Sequence, residues 1–454
     1  MKITIVGAGI SGLSLAFALL EKNPALDVTV LEAQNRAGGK VMTDRTDGFM
    51  SEAGVNGFLD NKPSTFKLAE RLDLPPLRSD DNSRKRFIYV DGKLRLIPLT
   101  PPAFFMSGLL SLPGRLRLIG EYFSPRDVHE DESLESFAVR RVGREFFEKL
   151  LDPMASGVYA GDPSKLSIRS CFAKVYELER DYGGLIKGFM AMSRDRKKTG
   201  QKTEAGPGGV LHSFPDGMSG LINALGKYLG NRVMTGKEVS GVDMKGNIYT
   251  VYCKDGSSFG SDRLVIASPA GETANMLSDL SKNIASVLRE IPYPPLTVVS
   301  LGFDNKKVSG MDLNGFGFLV PGREGRKVLG TLYDSSIFPG RAPEGHVLLR
   351  SMVGGARHPR LALMEDEQLF STVLSELSDI MGLKAEPVFA KTFRWEKAIP
   401  QYVIGHHERL RRLDQGVAKH PGLYLTGNAY RGVSLNDCIA NSFLLADRIA
   451  PDGG

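Results

Sequence analysis

The chain has 454 residues, 42% apolar and 24% charged, proportions that exclude both a disordered chain and a polytopic membrane protein. That length exceeds one ordinary hydrophobic core, so two or three domains are expected. The net charge of +6 suits an acidic small molecule or an anionic membrane. No nucleic-acid-binding signature accompanies it, so nucleic acid is not an expected partner. The three cysteines, Cys171, Cys253 and Cys438, lie far apart in no metal-ligand spacing. They read as reduced thiols, and no metal site is expected. A strand that begins at residue 2 leaves no room for a targeting peptide, so a cytoplasmic location is expected.

The first strand, Lys2–Val6, runs into Gly7-Ala8-Gly9-Ile10-Ser11-Gly12 and then into an apolar helical stretch ending at Leu20. Strand, G-x-G-x-x-G and helix in that order make the dinucleotide fingerprint. Gly7 allows the tight turn, Gly9 lets backbone approach a pyrophosphate, and Gly12 lets the helix lie close on the sheet. A second strand, Asp27–Leu31, ends at Glu32, where such units place a carboxylate against a ribose hydroxyl. Arg36-Ala37-Gly38-Gly39 follows directly, and a nicotinamide enzyme has no evident use for that second glycine doublet. Arg-x-Gly-Gly after the ribose acid resembles the FAD-binding pattern of the flavin amine oxidase and phytoene desaturase superfamily. Arg36 would offer a cation near the phosphates and Gly39 a close backbone approach. FAD is the expected cofactor.

From Leu96 to Gly114 no residue is charged, yet Pro98, Pro101, Pro102 and Pro113 forbid a continuous spanning helix. Flanked by Arg95, Arg115 and Arg117, this stretch reads equally as an interfacial membrane contact or as the wall of an apolar pocket. Phe137, Val142, Phe146 and Leu150 predict one amphipathic helix over Glu135–Leu151. Residues 195–209 are polar and glycine-rich and predict a loop. A helix from Ser219 and strands over Glu238–Met244, Tyr249–Cys253 and Arg263–Ala267 return to the nucleotide domain. Strands over Leu296–Phe303, Lys327–Tyr333 and Val347–Val353 suggest a separate antiparallel sheet. The chain closes with a strand over Gly422–Thr426, then Gly427-Asn428, then a helix from Ser434. That helix start puts Val433, Ser434 and Leu435 where free N–H groups would stabilise the negative charge of a reduced flavin. Ser434 with Asp437 also reads as a capping pair. The predicted fold class is α/β. A Rossmann-like FAD-binding domain is assembled from discontinuous segments (1–78, 213–275 and 415–454). An antiparallel-sheet substrate domain spans 276–414, a mostly helical insertion 79–190, and a linker 191–212.

Five blocks carry a closer resemblance: Lys85–Leu94, Ser156–Ser167 (SGVYAGDPSKLS), Phe316–Pro321, Leu329–Ser336 and Leu423–Ser434. Together they are similar to the oxygen-dependent protoporphyrinogen oxidases, over nearly the whole chain. The resemblance implies FAD contacts at Gly7, Ala8, Gly9, Ile10, Ser11, Gly12, Glu32, Ala33, Lys40, Gly54, Val55, Asn56, Gly57, Val239, Trp395, Val433, Ser434 and Leu435. At Glu52–Phe58 the chain has Val55 and Gly57 where that family has Pro and Ser, which alters the detail of the loop. The resemblance also implies that Arg86 faces a substrate propionate and that Tyr333 packs on the macrocycle. No side chain is expected to be catalytic, because flavin N5 takes hydride from a meso carbon and oxygen then accepts the electrons. The implied function is oxidation of protoporphyrinogen IX to protoporphyrin IX in haem biosynthesis. Oxidation of coproporphyrinogen III to coproporphyrin III stays open, as do, more distantly, another amine oxidase or desaturase and a non-catalytic flavin-fold binding protein. Peripheral membrane contact and a homodimer stay open too.

Overall fold

The structure, a computed structural model, describes residues 1–127, 129–199 and 209–450, with backbone alone over 195–199. Five parallel strands form the nucleotide sheet in the order 233–234, 27–31, 2–6, 263–266, 423–425. From the central strand Lys2–Val6 the chain moves first to one side and much later to the other. The switch point therefore lies at the carboxyl end of Lys2–Val6, where open α/β sheets bind their ligands. Helix Ile10–Lys22 is buried on every side from Ser11 to Leu20. It lies between the sheet and helices Ser219–Leu229 and Leu435–Ile449, which explains an apolar run with no polar stripe. Of the three strands predicted between 238 and 267, only Arg263–Ile266 joins this sheet. Val239–Lys245, Ile248–Cys253 and Ser258–Ser261 close on one another as an antiparallel meander packed against Val6, Leu31 and Ile266.

The second sheet has seven strands in the order 389–395, 296–304, 346–354, 328–332, 317–319, 86–90, 93–96. Its last two strands fall inside the region predicted as a mostly helical insertion, and this corrects that boundary. The cause is the Asp91-Gly92 turn, with φ of 53° and 73°, which folds Arg86–Leu96 into a tight hairpin. The single helix predicted over 135–151 is also broken. Helix Leu134–Val142 stops at Gly143, with φ of 89°, and a wider-wound turn Phe147–Leu151 leads into helix Asp152–Tyr159. A buried ion cluster holds this helical region together. Arg141, 1% exposed, meets Glu121 and Glu179, while Arg140 reaches Glu132 (2.5 Å) and Glu179 (2.7 Å). Of the loop predicted over 195–209, residues 195–199 continue helix Leu185–Thr199, and 200–208 lie outside the described residues. No helix among the described residues is long and apolar enough to cross a membrane.

Candidate functional site

The carboxyl ends of Lys2–Val6 and Asp27–Leu31 carry the fingerprint residues. Gly7, with φ of 107°, donates its N–H to Leu31 O at 2.7 Å. A Cβ placed on Gly12 would stand 1.9 Å from Gly7 O, so only glycine lets the helix start this close to the turn. Gly9 differs: its φ of −71° suits any residue, and a Cβ there meets no atom within 4 Å. The space over Gly9 is open. The Glu32 carboxylate accepts from Ala8 N (2.8 Å) and Gln34 N (2.9 Å), which anchors it at the end of its strand beside exposed Ala33. Gly38 N donates to Ala8 O (2.8 Å), laying the glycine doublet along the first turn, and Gly39 takes φ of 56°. The Arg36 guanidinium is fastened to its own loop, donating to Gly39 O (2.7 Å) and Ala37 O (3.3 Å). Burial lowers its pKa against the pull of Glu32. Glu32 N donates to Met234 O and Lys237 N to Glu32 O, which brings Val239 to the same edge.

A second group of residues gathers where the two sheets meet. Loop Gly54–Gly57 leaves strand Phe49–Glu52. Both polar atoms of the Asn56 amide are shielded from solvent and have no partner among the described residues, an arrangement that calls for a ligand or water. A Cβ at Gly57 would stand 2.4 Å from His212 O, and one at Gly54 2.7 Å from Lys40 O. The chain's glycine at 57 thus fits its own neighbour. Lys40 donates to Ala398 O and lies 5.3 Å from the Tyr293 ring; burial lowers its pKa to about 8. Gly427, with φ of 123°, follows the last strand. Ser434 caps helix Leu435–Ile449, accepting from Asp437 N (3.2 Å), and Ser442 Oγ donates to Ser11 O (2.8 Å). The middle of that helix is thereby tied to the glycine motif, and Val433 lies half-buried just before the helix start. Open space over Gly9, the Asn56 amide and two helix N-termini fit a dinucleotide that ends in a polar, flat ring.

Trp395 is half-buried beside Ala53. Its indole Nε1 donates to Ala53 O (2.7 Å), so it acts on this loop through the backbone. Tyr333 departs from expectation. Its ring is 1% exposed, packed with Phe318 in the core between the seven-stranded sheet and helix Asp366–Met381. Burial raises its pKa well above the ordinary value, and no face is left for a macrocycle. Arg86 is half-buried on the first residue of its strand, its guanidinium 5.1 Å from the Phe316 ring. Burial lowers its pKa, and no carboxylate pairs with it among the described residues.

Register relates these residues. Ser300, Arg350, Leu332, Gly317 and Arg86 are paired in one row across five strands, so their side chains share a face. At Arg350 that face meets the loop after strand Phe49–Glu52, because Arg350 Nη1 donates to Glu52 O and Gly54 O, at 3.1 Å each. The buried charges Glu52, Asp334, Arg341 and Arg350 were not singled out from the sequence. The available signal was an arginine at the centre of the apolar strand His346–Gly354.

The chain matches the family of flavin containing amine oxidoreductases over residues 10–450. It is 32% identical to a coproporphyrinogen III oxidase of Bacillus subtilis, over 96% of this chain and 95% of that protein. It is 35% identical to a chloroplastic protoporphyrinogen oxidase of Nicotiana tabacum, over 98% of this chain and 84% of the other. A crystal structure from Exiguobacterium sp. 255-15, provisionally assigned as a protoporphyrinogen oxidase, superposes with a TM-score of 0.84 at 27% identity, covering 99% and 98% of the two chains. The chain belongs to the flavin containing amine oxidoreductase family. It is an oxidoreductase of α/β fold with FAD as its cofactor.

Proposed function

We propose that the chain oxidises protoporphyrinogen IX to protoporphyrin IX, with oxygen as the electron acceptor. The observation that carries this reading is the row across the seven-stranded sheet, which is mixed because strands 317–319 and 86–90 pair in parallel. Arg86, a half-buried cation without a paired carboxylate among the described residues, and Arg350 at the cofactor loop share one face, three strands apart. At about 4.8 Å per strand that is roughly 14 Å, room for a flat macrocycle and one carboxylate arm. Gly7–Gly12 and Glu32 would hold the diphosphate and ribose, with Arg36 and Gly39 shaping the turn beside them and Val239 at the adenine end. Lys40, Gly54–Gly57, Gly427 and Val433–Leu435 would hold the flavin. When bound, FAD supplies the hydride acceptor and returns the electrons to oxygen. The chain's own part is to bind, orient and exclude water. Arg86 would grip a propionate with its planar fork, and bare Gly317 beside Leu332 would leave a low, apolar floor for the ring. No acidic or basic side chain is required at the reacting carbon.

Coproporphyrinogen III is a second reading, supported by the match to the B. subtilis relative along 95% of its length. The two differ by carboxylate arms, which one further cation at the pocket rim would distinguish. The experiment is anaerobic mixing with each porphyrinogen, followed by fluorescence of the oxidised product once oxygen is admitted. Product from coproporphyrinogen alone would replace the first reading, and product from neither would overturn both.

We also infer a peripheral contact with a lipid surface. Leu112, Leu116, Ile119 and Phe123 form an exposed stripe at helical spacing, joined by exposed Leu99 and Met106. Of the aromatic residues in this segment, Phe104 packs inward on Leu109 and Phe146 and is no part of the stripe. Arg115 and Arg117 are turned onto the carbonyls of Leu110, Arg140 and Arg141, so the apolar stripe carries the contact.

A further inference from the structure

We infer that Arg350 is a positioning residue for the cofactor: from the seven-stranded sheet it holds the backbone of loop Glu52–Gly57 in the register that presents Asn56. The inference rests on reading Gly54–Gly57 as a flavin contact. Three successive carbonyls lead into that loop, and each is held by a donor from the other sheet. Arg350 Nη1 takes Glu52 O and Gly54 O (3.1 Å each), and Trp395 Nε1 takes Ala53 O (2.7 Å). Ala53 and Gly54 lie in no strand, so no ladder does this work for them.

The residue before them is fixed as well. The Glu52 side chain, wholly buried, accepts from Met218 N (2.9 Å), Thr43 Oγ1 (2.8 Å) and Arg341 Nη1 (2.9 Å). Beyond Gly54 the next polar side chain is Asn56, whose amide has no partner among the described residues. The restraint therefore ends where the ligand contact begins. Arg350 is 2% exposed, and a lone guanidinium at that depth would be strongly unfavourable. Asp334, 1% exposed, compensates it: Arg350 Nε lies 2.8 Å from Asp334 Oδ2, an ion contact at an angle outside hydrogen-bond geometry. Only a planar fork can span two carbonyls on one side and meet a carboxylate on the other. A lysine ammonium would reach one of them.

The test uses holoenzyme of the wild type and of R350M, R350K, W395F and R141M. Visible spectra are recorded, FAD is removed, and each apo-protein is titrated with FAD. R350M should weaken FAD binding about tenfold or more, the scale of one lost charged hydrogen-bond node, and the bound flavin spectrum should move toward that of free FAD. R350K should recover part of the loss. R141M breaks an equally buried pair in the helical region. It should lower the melting temperature yet leave FAD affinity and spectrum as in the wild type. Wild-type affinity and spectrum in R350M would overturn the inference, as would an equal loss in R141M. Should R350M not fold, R350K and W395F decide: each should weaken FAD binding about threefold, and wild-type behaviour in both overturns the inference. A wild-type chain that takes up no FAD would overturn the cofactor reading itself and this inference with it.

Discussion

At the scale of single residues, two glycines three apart in the turn have opposite reasons to be glycine. A Cβ at Gly12 collides with Gly7 O at 1.9 Å, so Gly12→Ala should cost the fold of the nucleotide sheet. At Gly9 the backbone is ordinary and the space open, so Gly9→Asp should fold normally. Its carboxylate would stand where a pyrophosphate belongs. We expect colourless Gly9→Asp protein with an unchanged apo-protein melting temperature; FAD uptake like that of the wild type would mean the diphosphate lies elsewhere. Arg86 offers a second test. A guanidinium holding a carboxylate in a partly desolvated place contributes about 1.5–3 kcal/mol, so Arg86→Ala should raise KM roughly tenfold to a hundredfold with kcat kept. Esterifying the propionates should then cost the wild type much and the variant little. Retained KM with lost kcat would move Arg86 into the chemical step.

At the scale of elements, local signals were enough for some and not for others. The strands Lys2–Val6 and Asp27–Leu31 and the final helix follow directly from pattern and caps. The hairpin Arg86–Leu96 was present in the sequence as Asp-Gly between apolar strands, a signal outweighed by the helical texture after it. The break at Gly143 was readable only as one glycine in an amphipathic run. Helix His406–Val417 carries a testable element of its own. The His406 ring stacks on Tyr402, with centroids 4.1 Å apart, and Nε2 lies 3.1 Å from Tyr430 O, so that nitrogen carries the proton. Burial lowers its pKa to about 4, against Tyr430 O; Arg409 and Arg431 lower it further and Asp131 raises it. The unfolded chain takes up this proton near pH 6.5 and the folded chain only near 4. Between these values the unfolded state binds more protons, so stability falls as pH drops through that window, by up to about 3 kcal/mol, and levels off below it. His406→Phe keeps the stack without the titration. It should melt lower at pH 7 yet lose less on going to pH 5, and an unchanged loss would assign the acid sensitivity to other groups.

At the scale of the whole molecule, Leu112, Leu116, Ile119 and Phe123 stand exposed outside the hydrophobic clusters of the described residues. Replacing Leu116 and Phe123 with Ser should weaken sedimentation with anionic vesicles while FAD content stays constant. Wild-type protein that leaves vesicles in the supernatant at low and moderate salt would exclude the lipid contact. The sequence by itself determined the nucleotide edge, because each part of it is local: a turn, a close approach, a terminal acid and a capped helix lie within a few residues of one another. It determined the cofactor for the same reason, through the doublet Gly38-Gly39 beside Glu32. Only the tertiary structure decided that Tyr333 is core and that Trp395 serves a backbone carbonyl. It also decided that Arg86 and Arg350 lie in one row on one face of the seven-stranded sheet. Those facts depend on register between strands more than two hundred residues apart, and on which face of a sheet a distant loop covers. A one-residue slip would turn each side chain to the opposite face, and no local pattern records that choice.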